Sequence, residues 1–314
     1  MKYDYKKKAI AEIIISLGPD GKRNFYICVD GKSPEPILPD ENEPEIVYHY
    51  CSLDAFKNII RSKVFWLSSI FYTNDTTEVL WVGELFNKCI QTFDLNDRNV
   101  LGKIVAVSQI CQWNLLEAYY LSFSSLKDSL GQWREYGDFF KGICIGIDPK
   151  KLEITRDLPQ RHGEGECQNV TTAFIEVNYN EEEQYNLIKE IIDSVLSGEL
   201  SCADAAFALA KIAYACKNNG WHEEKEWRII YTPFLNGNVI AAPPEKFYIS
   251  NIKQRPKEGR IINYCDMSIL DGLIKEIIIG PHCNITKDEI RALLIESFGD
   301  ISGIDIYNSR ITHR

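Results

Sequence analysis

The chain has 314 residues, 45% hydrophobic and 25% charged, proportions of a globular protein that exclude disorder, collagen and coiled coil. At roughly 150 residues per domain this makes one large or two modest domains, long enough to bury a core without staples. Lys and Arg total 35 against 45 Asp and Glu, a formal charge of −10, which argues against non-specific DNA or anionic-membrane binding and leaves only a local basic patch for RNA.

Lys2 and Lys6 to Lys8 resemble the basic start of a signal peptide, but Glu12 interrupts the apolar run and no small-residue cleavage site follows. No stretch reaches the ~18 apolar residues needed to span a membrane. Pro34, Pro36, Pro39 and Pro44 then force an extended path. Residues 1–45 therefore read as an arm or small cap, and residues 46–314 as a single main domain.

That domain opens with a strand, Ile46 to Tyr50. Ser52 caps a helix whose Leu53, Phe56, Ile59 and Ile60 share one face. Val64 to Ser68 reads as a strand rich in β-formers. Asp75 and Glu78 stand at capping-box spacing before a helix carrying Val79, Val82, Phe86, Cys89 and Phe93. A helix near 102–116, a strand at Tyr119 to Ser124 and a short helical turn with Trp133 and Tyr136 follow. Next come a buried strand, Gly142 to Ile147, a polar loop at 156–170, a strand at 173–179, and helices near 182–197 and 201–217. Strands are expected near 223–233, 246–251, 260–266 and 275–280. Thr286 and Glu289 form a capping box for a last helix, and a strand at 304–308 closes the chain. Strands and helices do not alternate regularly, so the fold class is α+β, with a mixed, largely antiparallel sheet and flanking helices.

Ten cysteines include no C-x-x-C pair, and most lie in apolar runs such as Ile143-Cys144-Ile145. Walker, G-x-G-x-x-G, G-x-S-x-G and H-E-x-x-H patterns do not occur, and the five histidines are far apart. The expectation is a reduced, cytoplasmic protein with no metal site.

Three segments in order resemble a bacterial family, the domain-of-unknown-function family 2971. They are Tyr48-His49-Tyr50-Cys51-Ser52 with Asn74-Asp75 and Glu78; Leu121 to Ser124 with Gln132 to Tyr136 and Gly142; and Trp221 to Arg228. The likeness covers roughly 46–280 and departs at Thr76, where proline is expected. A strand with Tyr-His, then a helix, then a strand ending in Leu-Ser is also similar to the opening of the ADP-ribosyltransferases. That resemblance implies an ADP-ribosyltransferase-like core. It implies NAD as the substrate, held by His49 and Tyr50 on the first strand and by Ser122 or Ser124 on the second. Trp133 and Tyr136 would wall the nicotinamide, with Glu226 and Glu224 as catalytic carboxylates. It further implies mono-ADP-ribosyl transfer to an unknown macromolecular acceptor, protein or nucleic acid. A toxin or phage-defence effector, with an antitoxin or accessory partner, fits that chemistry.

Strand parity places His222, Glu224, Glu226 and Arg228 on one face and Trp221, Glu223, Lys225, Trp227, Ile229 and Tyr231 on the other. The acidic face is the candidate cleft, expected to confront His49 across a gap. The same pattern also fits a solvated face, or a structural Arg228–Glu226 pair. Two alternatives remain: a metal-dependent nuclease, motivated by Glu223-x-Lys225, and a non-enzymatic sensor or binding module.

Overall fold

A computed structural model describes residues 43–72, 78–113, 118–152, 154, 172–233, 249–257 and 259–312. Almost all of the expected N-terminal arm, the turn at 74–77 and the loop at 156–170 lie outside these residues.

The described chain runs β1 (Val47–Cys51), α1 (Leu53–Ser62), β2 (Val64–Ser69), α2 (Glu78–Ile90), α3 (Arg98–Trp113), β3 (Tyr119–Ser124), α4 (Leu130–Glu135) and β4 (Ile143–Ile147). It continues through β5 (Thr172–Glu176), α5 (Glu181–Ser197), α6 (Cys202–Ala215), β6 (Glu226–Tyr231), β7 (Lys253–Lys257) and β8 (Arg260–Ser268). The last elements are β9 (Ile274–Ile279), α7 (Lys287–Phe298) and β10 (Asp305–Asn308). Local chemistry sets many boundaries. The Ser52 hydroxyl accepts from the Ala55 amide at 3.2 Å and starts α1, and Lys63 in the left-handed region ends it. Thr286 and Glu289 close a full capping box on α7.

The sheet is mixed and mostly antiparallel, as expected. Its order is β10-β9-β4-β1-β3-β2-β8-β7, with β6 also paired to β3 and β5 to β6; β10 runs parallel to β9. Two expectations change at the β7–β8 edge. Residues 249–251 form no strand, only an Ile249–Met267 bridge. The strand β7 is new: Lys253-Gln-Arg-Pro-Lys257 lacks apolar alternation, and its proline is tolerated because the strand lies at the sheet's edge.

The sheet forks at β3. One edge of β3 pairs with β6 along its whole length. On the other edge, Tyr119 and Tyr120 pair with β2 and Ser124 pairs with Tyr48 of β1. Residues 121–123 therefore face the gap where β1 and β2 part.

Alternation assigns the two faces. One face carries the main core: Val47, Phe65, Leu67, Phe123, Phe174, Trp227 and Ile229 pack under Phe56 and Ile60 of α1 and Ile290 and Leu294 of α7. Each such side chain contributes about 1.5–3 kcal/mol by leaving water. The opposite face carries two separate clusters. Tyr48, Tyr50, Trp133, Phe140 and Cys144 lie over β1 and β4. Tyr120, Ala173, Ile175, Tyr214 and Ile230 lie over β5 and β6. A further helical core joins α2, α3, α5 and α6 through Phe86, Val107, Ile188, Ile191 and Leu209. No described helix is long and apolar enough to cross a membrane.

Candidate functional site

The expected strand at 223–233 begins late. Asn218 accepts from the Gly220 amide at 2.8 Å and caps a 3-10 turn over Asn219–Glu224. Lys225 takes a left-handed φ of 47° and redirects the chain into β6. Alternation therefore holds only from Glu226 onward. His222, Glu223 and Lys225 are exposed on the turn, so Glu223 and Lys225 do not form the strand pair on which the nuclease alternative rests. Among the described residues, no group of three or more His, Cys, Asp and Glu is placed to hold a metal ion.

Four charges meet where the turn joins the strand. The Arg228 guanidinium grips Glu226 with both arms, Nε to Oε1 and Nη2 to Oε2, each at 2.8 Å. Its Nη1 donates to the Tyr214 carbonyl at 3.0 Å, and the group lies 4.8 Å from the Tyr120 ring centroid. Lys217 Nζ bridges the carboxylates, 2.5 Å from Glu224 Oε2 and 3.3 Å from Glu226 Oε2. Tyr136 donates its hydroxyl to Glu224 Oε1. Two carboxylates thus balance two cations. Glu226 (5% exposed) and Arg228 (1%) are buried, where an unpaired charge costs several kcal/mol.

Burial alone pushes the Glu226 carboxyl up. The Arg228 guanidinium, the Lys217 ammonium and a hydrogen bond from the Ser122 hydroxyl outweigh it and hold the group down at about 2. Glu226 is therefore a fixed anion at neutral pH. Burial and the neighbouring carboxylates, Glu224 first among them, keep the Tyr136 phenol protonated, so it stays a donor.

Ser122 is exposed. It lies on the face of Glu226 and Arg228, and its registered partner on β6 is Arg228. It thus opens to solvent between the clusters around Trp133 and Tyr214, beside the buried carboxylate. Ser124 is buried and structural: its hydroxyl donates to the Glu224 carbonyl at 2.6 Å and accepts from the Leu126 amide at 3.1 Å. It ties the turn bearing Glu224 to β3.

His49 departs from expectation. It shares its face with Val47 and Cys51, and its ring packs edge-on to Phe65 and Phe123 at 5.7 and 5.9 Å. Glu226 is on the other face, so the two do not confront each other across a gap. His49 acts from the opposite face of the sheet, its Nδ1 lying 3.0 Å from the Ser122 carbonyl in the fork. A carbonyl only accepts, so Nδ1 carries the proton. Burial lowers the imidazole pKa, although the Ser122 hydrogen bond opposes it.

Trp133 and Tyr50 are also not presented to a ligand. Trp133 is fully buried, stands edge-on to Tyr50 at 4.9 Å and donates Nε1 to Asp128 at 2.8 Å. The Tyr50 hydroxyl donates to the Leu126 carbonyl at 2.8 Å and accepts from the Ser129 amide at 3.0 Å. The pair wedges α4 against β1. Gly142 makes the close fit there, because a Cβ would lie 2.1 Å from the Cys51 carbonyl oxygen. Of the eight residues expected from sequence, Ser122, Ser124, Tyr136, Glu224 and Glu226 come together. His49, Tyr50 and Trp133 support them from the core.

Lys217 is the participant that sequence reasoning missed. It follows α6, nine positions before Glu226, and no local pattern marks it. Trp221 covers it, with Nζ 4.9 Å from the ring centroid.

No curated protein and no solved structure matches the chain. A family model described as "Protein of unknown function (DUF2971)" matches residues 132–229, spanning α4 to β6. That stretch takes in the whole Trp221 to Arg228 segment and part of the second segment that carries the resemblance, while Tyr48 to Ser52 lies before it. The chain's likeness to that family is thus likeness over the segment holding Tyr136, Lys217, Glu224, Glu226 and Arg228.

Proposed function

We propose that the protein is an ADP-ribosyltransferase that takes NAD as substrate and transfers a single ADP-ribosyl group to a macromolecular acceptor. The observation that carries this reading is the adjacency of β1, β3 and β6, with exposed Ser122 and the ionised Glu226 on one face of the sheet. Breaking a nicotinamide–ribose bond releases a neutral base and leaves positive charge on the sugar, so no strong general acid is needed. A carboxylate held as an anion in a low-dielectric pocket is suited to that charge. Glu226 supplies it, and the Ser122 hydroxyl and Glu224 offer partners for ribose hydroxyls. Tyr136 and Lys217 fix Glu224, and His49 fixes the Ser122 carbonyl from below. Such positioning keeps the groups in place without reorganisation as charge develops.

The test is incubation with NAD labelled in its adenylate half, in the presence of protein, RNA and DNA. Label should become attached to one acceptor class, and Glu226→Gln and Ser122→Ala should each reduce transfer while the chain stays folded. Absence of both transfer and NAD breakdown across all three acceptors overturns the reading.

A second reading, a binding module without turnover, draws on one feature: Arg228 and Lys217 already occupy both Glu226 oxygens. On that reading Glu226→Gln affects folding stability alone.

A further inference from the structure

The face that carries Ser122 and Glu226 continues across β2, β8 and β7. Ser68 pairs with Tyr120 on one side and with Tyr264 on the other, so Trp66, Ser68 and Tyr264 all share it. Extending the β2–β3 register by two residues sets Trp66 opposite Ser122, where the strands part. Trp66 is 39% exposed, unusual for the largest apolar side chain. Its ring lies 5.2 Å from that of Tyr264. The Arg255 guanidinium sits 4.4 Å from the Trp66 centroid and 5.7 Å from that of Tyr264. Among the described residues, Arg255 makes one hydrogen bond, Nη2 to Ser68 Oγ at 3.3 Å, and no ion pair; its Nε has no acceptor.

The charge here opposes that of the whole chain. Lys253, Arg255, Lys257 and Arg260, against the single acid Glu258, fall within eight residues of a sequence whose formal charge is −10. Asp266, on the same face, is neutralised by Lys253. Protection of an edge strand accounts for Lys253, Pro256 and Lys257. It does not account for a guanidinium laid on two rings with no carboxylate beside it among the described residues.

We propose that Trp66, Tyr264 and Arg255 form a docking platform for single-stranded nucleic acid, with bases stacking on the exposed Trp66 ring beside half-buried Tyr264 and phosphates meeting the Arg255 and hairpin cations. Stacking on aromatic side chains needs no particular sequence, and cations along the path follow the backbone. An unpaired strand fits better than a duplex, whose bases do not offer their faces. The platform borders Ser122, so the bound strand would be the acceptor of the transferase; that role rests on the proposed function, whereas binding does not.

Fluorescence anisotropy of labelled single-stranded DNA and RNA oligonucleotides, with a duplex of the same sequence, tests binding without NAD. Both single strands or either one should bind at low salt, more tightly than the duplex, and affinity should fall as salt rises. Trp66→Ala and Arg255→Ala should each weaken binding roughly tenfold, and Trp66→Phe should recover most of the loss. Thermal melts of the variants should match the parent chain. Absence of binding to every oligonucleotide, equal binding by the alanine variants, or a preference for duplex overturns the platform. Binding without NAD breakdown would sink the proposed function and leave the platform standing.

Discussion

The two faces of β3 are built from alternate residues of one six-residue strand, yet they do opposite things. Leu121 and Phe123 enter the main core, where Phe174 stacks on Trp227 at 5.1 Å and apolar contact predominates. Ser122 and Ser124 face a cluster in which nearly every group needs one. The apolar face is held by burial and is sensitive to lost volume; the polar face is held by completed charge pairing and is sensitive to a lost charged partner. A carboxylate can therefore be kept ionised and immobile while sitting next to solvent.

The largest expected effects come from breaking either face. Arg228→Ala leaves Glu226 buried beside Lys217 alone and should cost about 3–5 kcal/mol. Phe174→Ala should cost a similar 3–5 kcal/mol through the cavity it opens. Urea denaturation measures both, and only Arg228→Ala should recover on changing the second partner, in a double variant with Glu226→Met.

Acidification separates the faces without mutation. Glu226 titrates at about 2 when folded against an ordinary 4.5. Its folded-state value is depressed, so its contribution is fully present above about pH 4.5 and is lost as pH falls towards 2. At about 1.36 kcal/mol per pH unit, that is about 3 kcal/mol. Denaturant midpoints between pH 5 and 2 should fall more steeply for the parent chain than for Glu226→Gln.

His49 links the faces and should give a smaller effect. His49→Ala removes the hydrogen bond to the Ser122 carbonyl and should cost about 1–2 kcal/mol. His49→Asn, which keeps a donor, should cost less. Because the imidazole pKa is lowered on folding, its contribution is complete above the ordinary histidine range and is lost as pH falls through the folded value. Smallest of all, Ser122→Ala at an exposed position should change stability by no more than about 0.5 kcal/mol, which makes it the cleanest probe of chemistry.

Much of the fold was legible from sequence because its elements carry local signals. Ser52 and Thr286 cap helices where expected, and the apolar strands at 47–51, 143–147 and 274–279 need no tertiary information to be recognised. The site was only partly legible. Alternation assumes an unbroken strand, and the left-handed Lys225 breaks it one residue before Glu226. The parity that put His222 beside Glu226 fails for that reason. His49 carried the right signal for its strand but not for its face, since register between β1 and β3 is a long-range property. Lys217 reaches the cluster from the end of a helix, and β7 has the composition of a loop; neither has a local pattern to detect.

The most direct test of the central claim measures nicotinamide released from NAD by the parent chain, Ser122→Ala and Glu226→Gln, each checked for folding by thermal melt. A Glu226 carboxylate that stabilises charge on the sugar predicts release by the parent chain. It also predicts a loss of roughly a hundredfold or more in Glu226→Gln and a clear loss in Ser122→Ala at unchanged stability. No release by the parent chain, or equal release by folded Glu226→Gln, would contradict it.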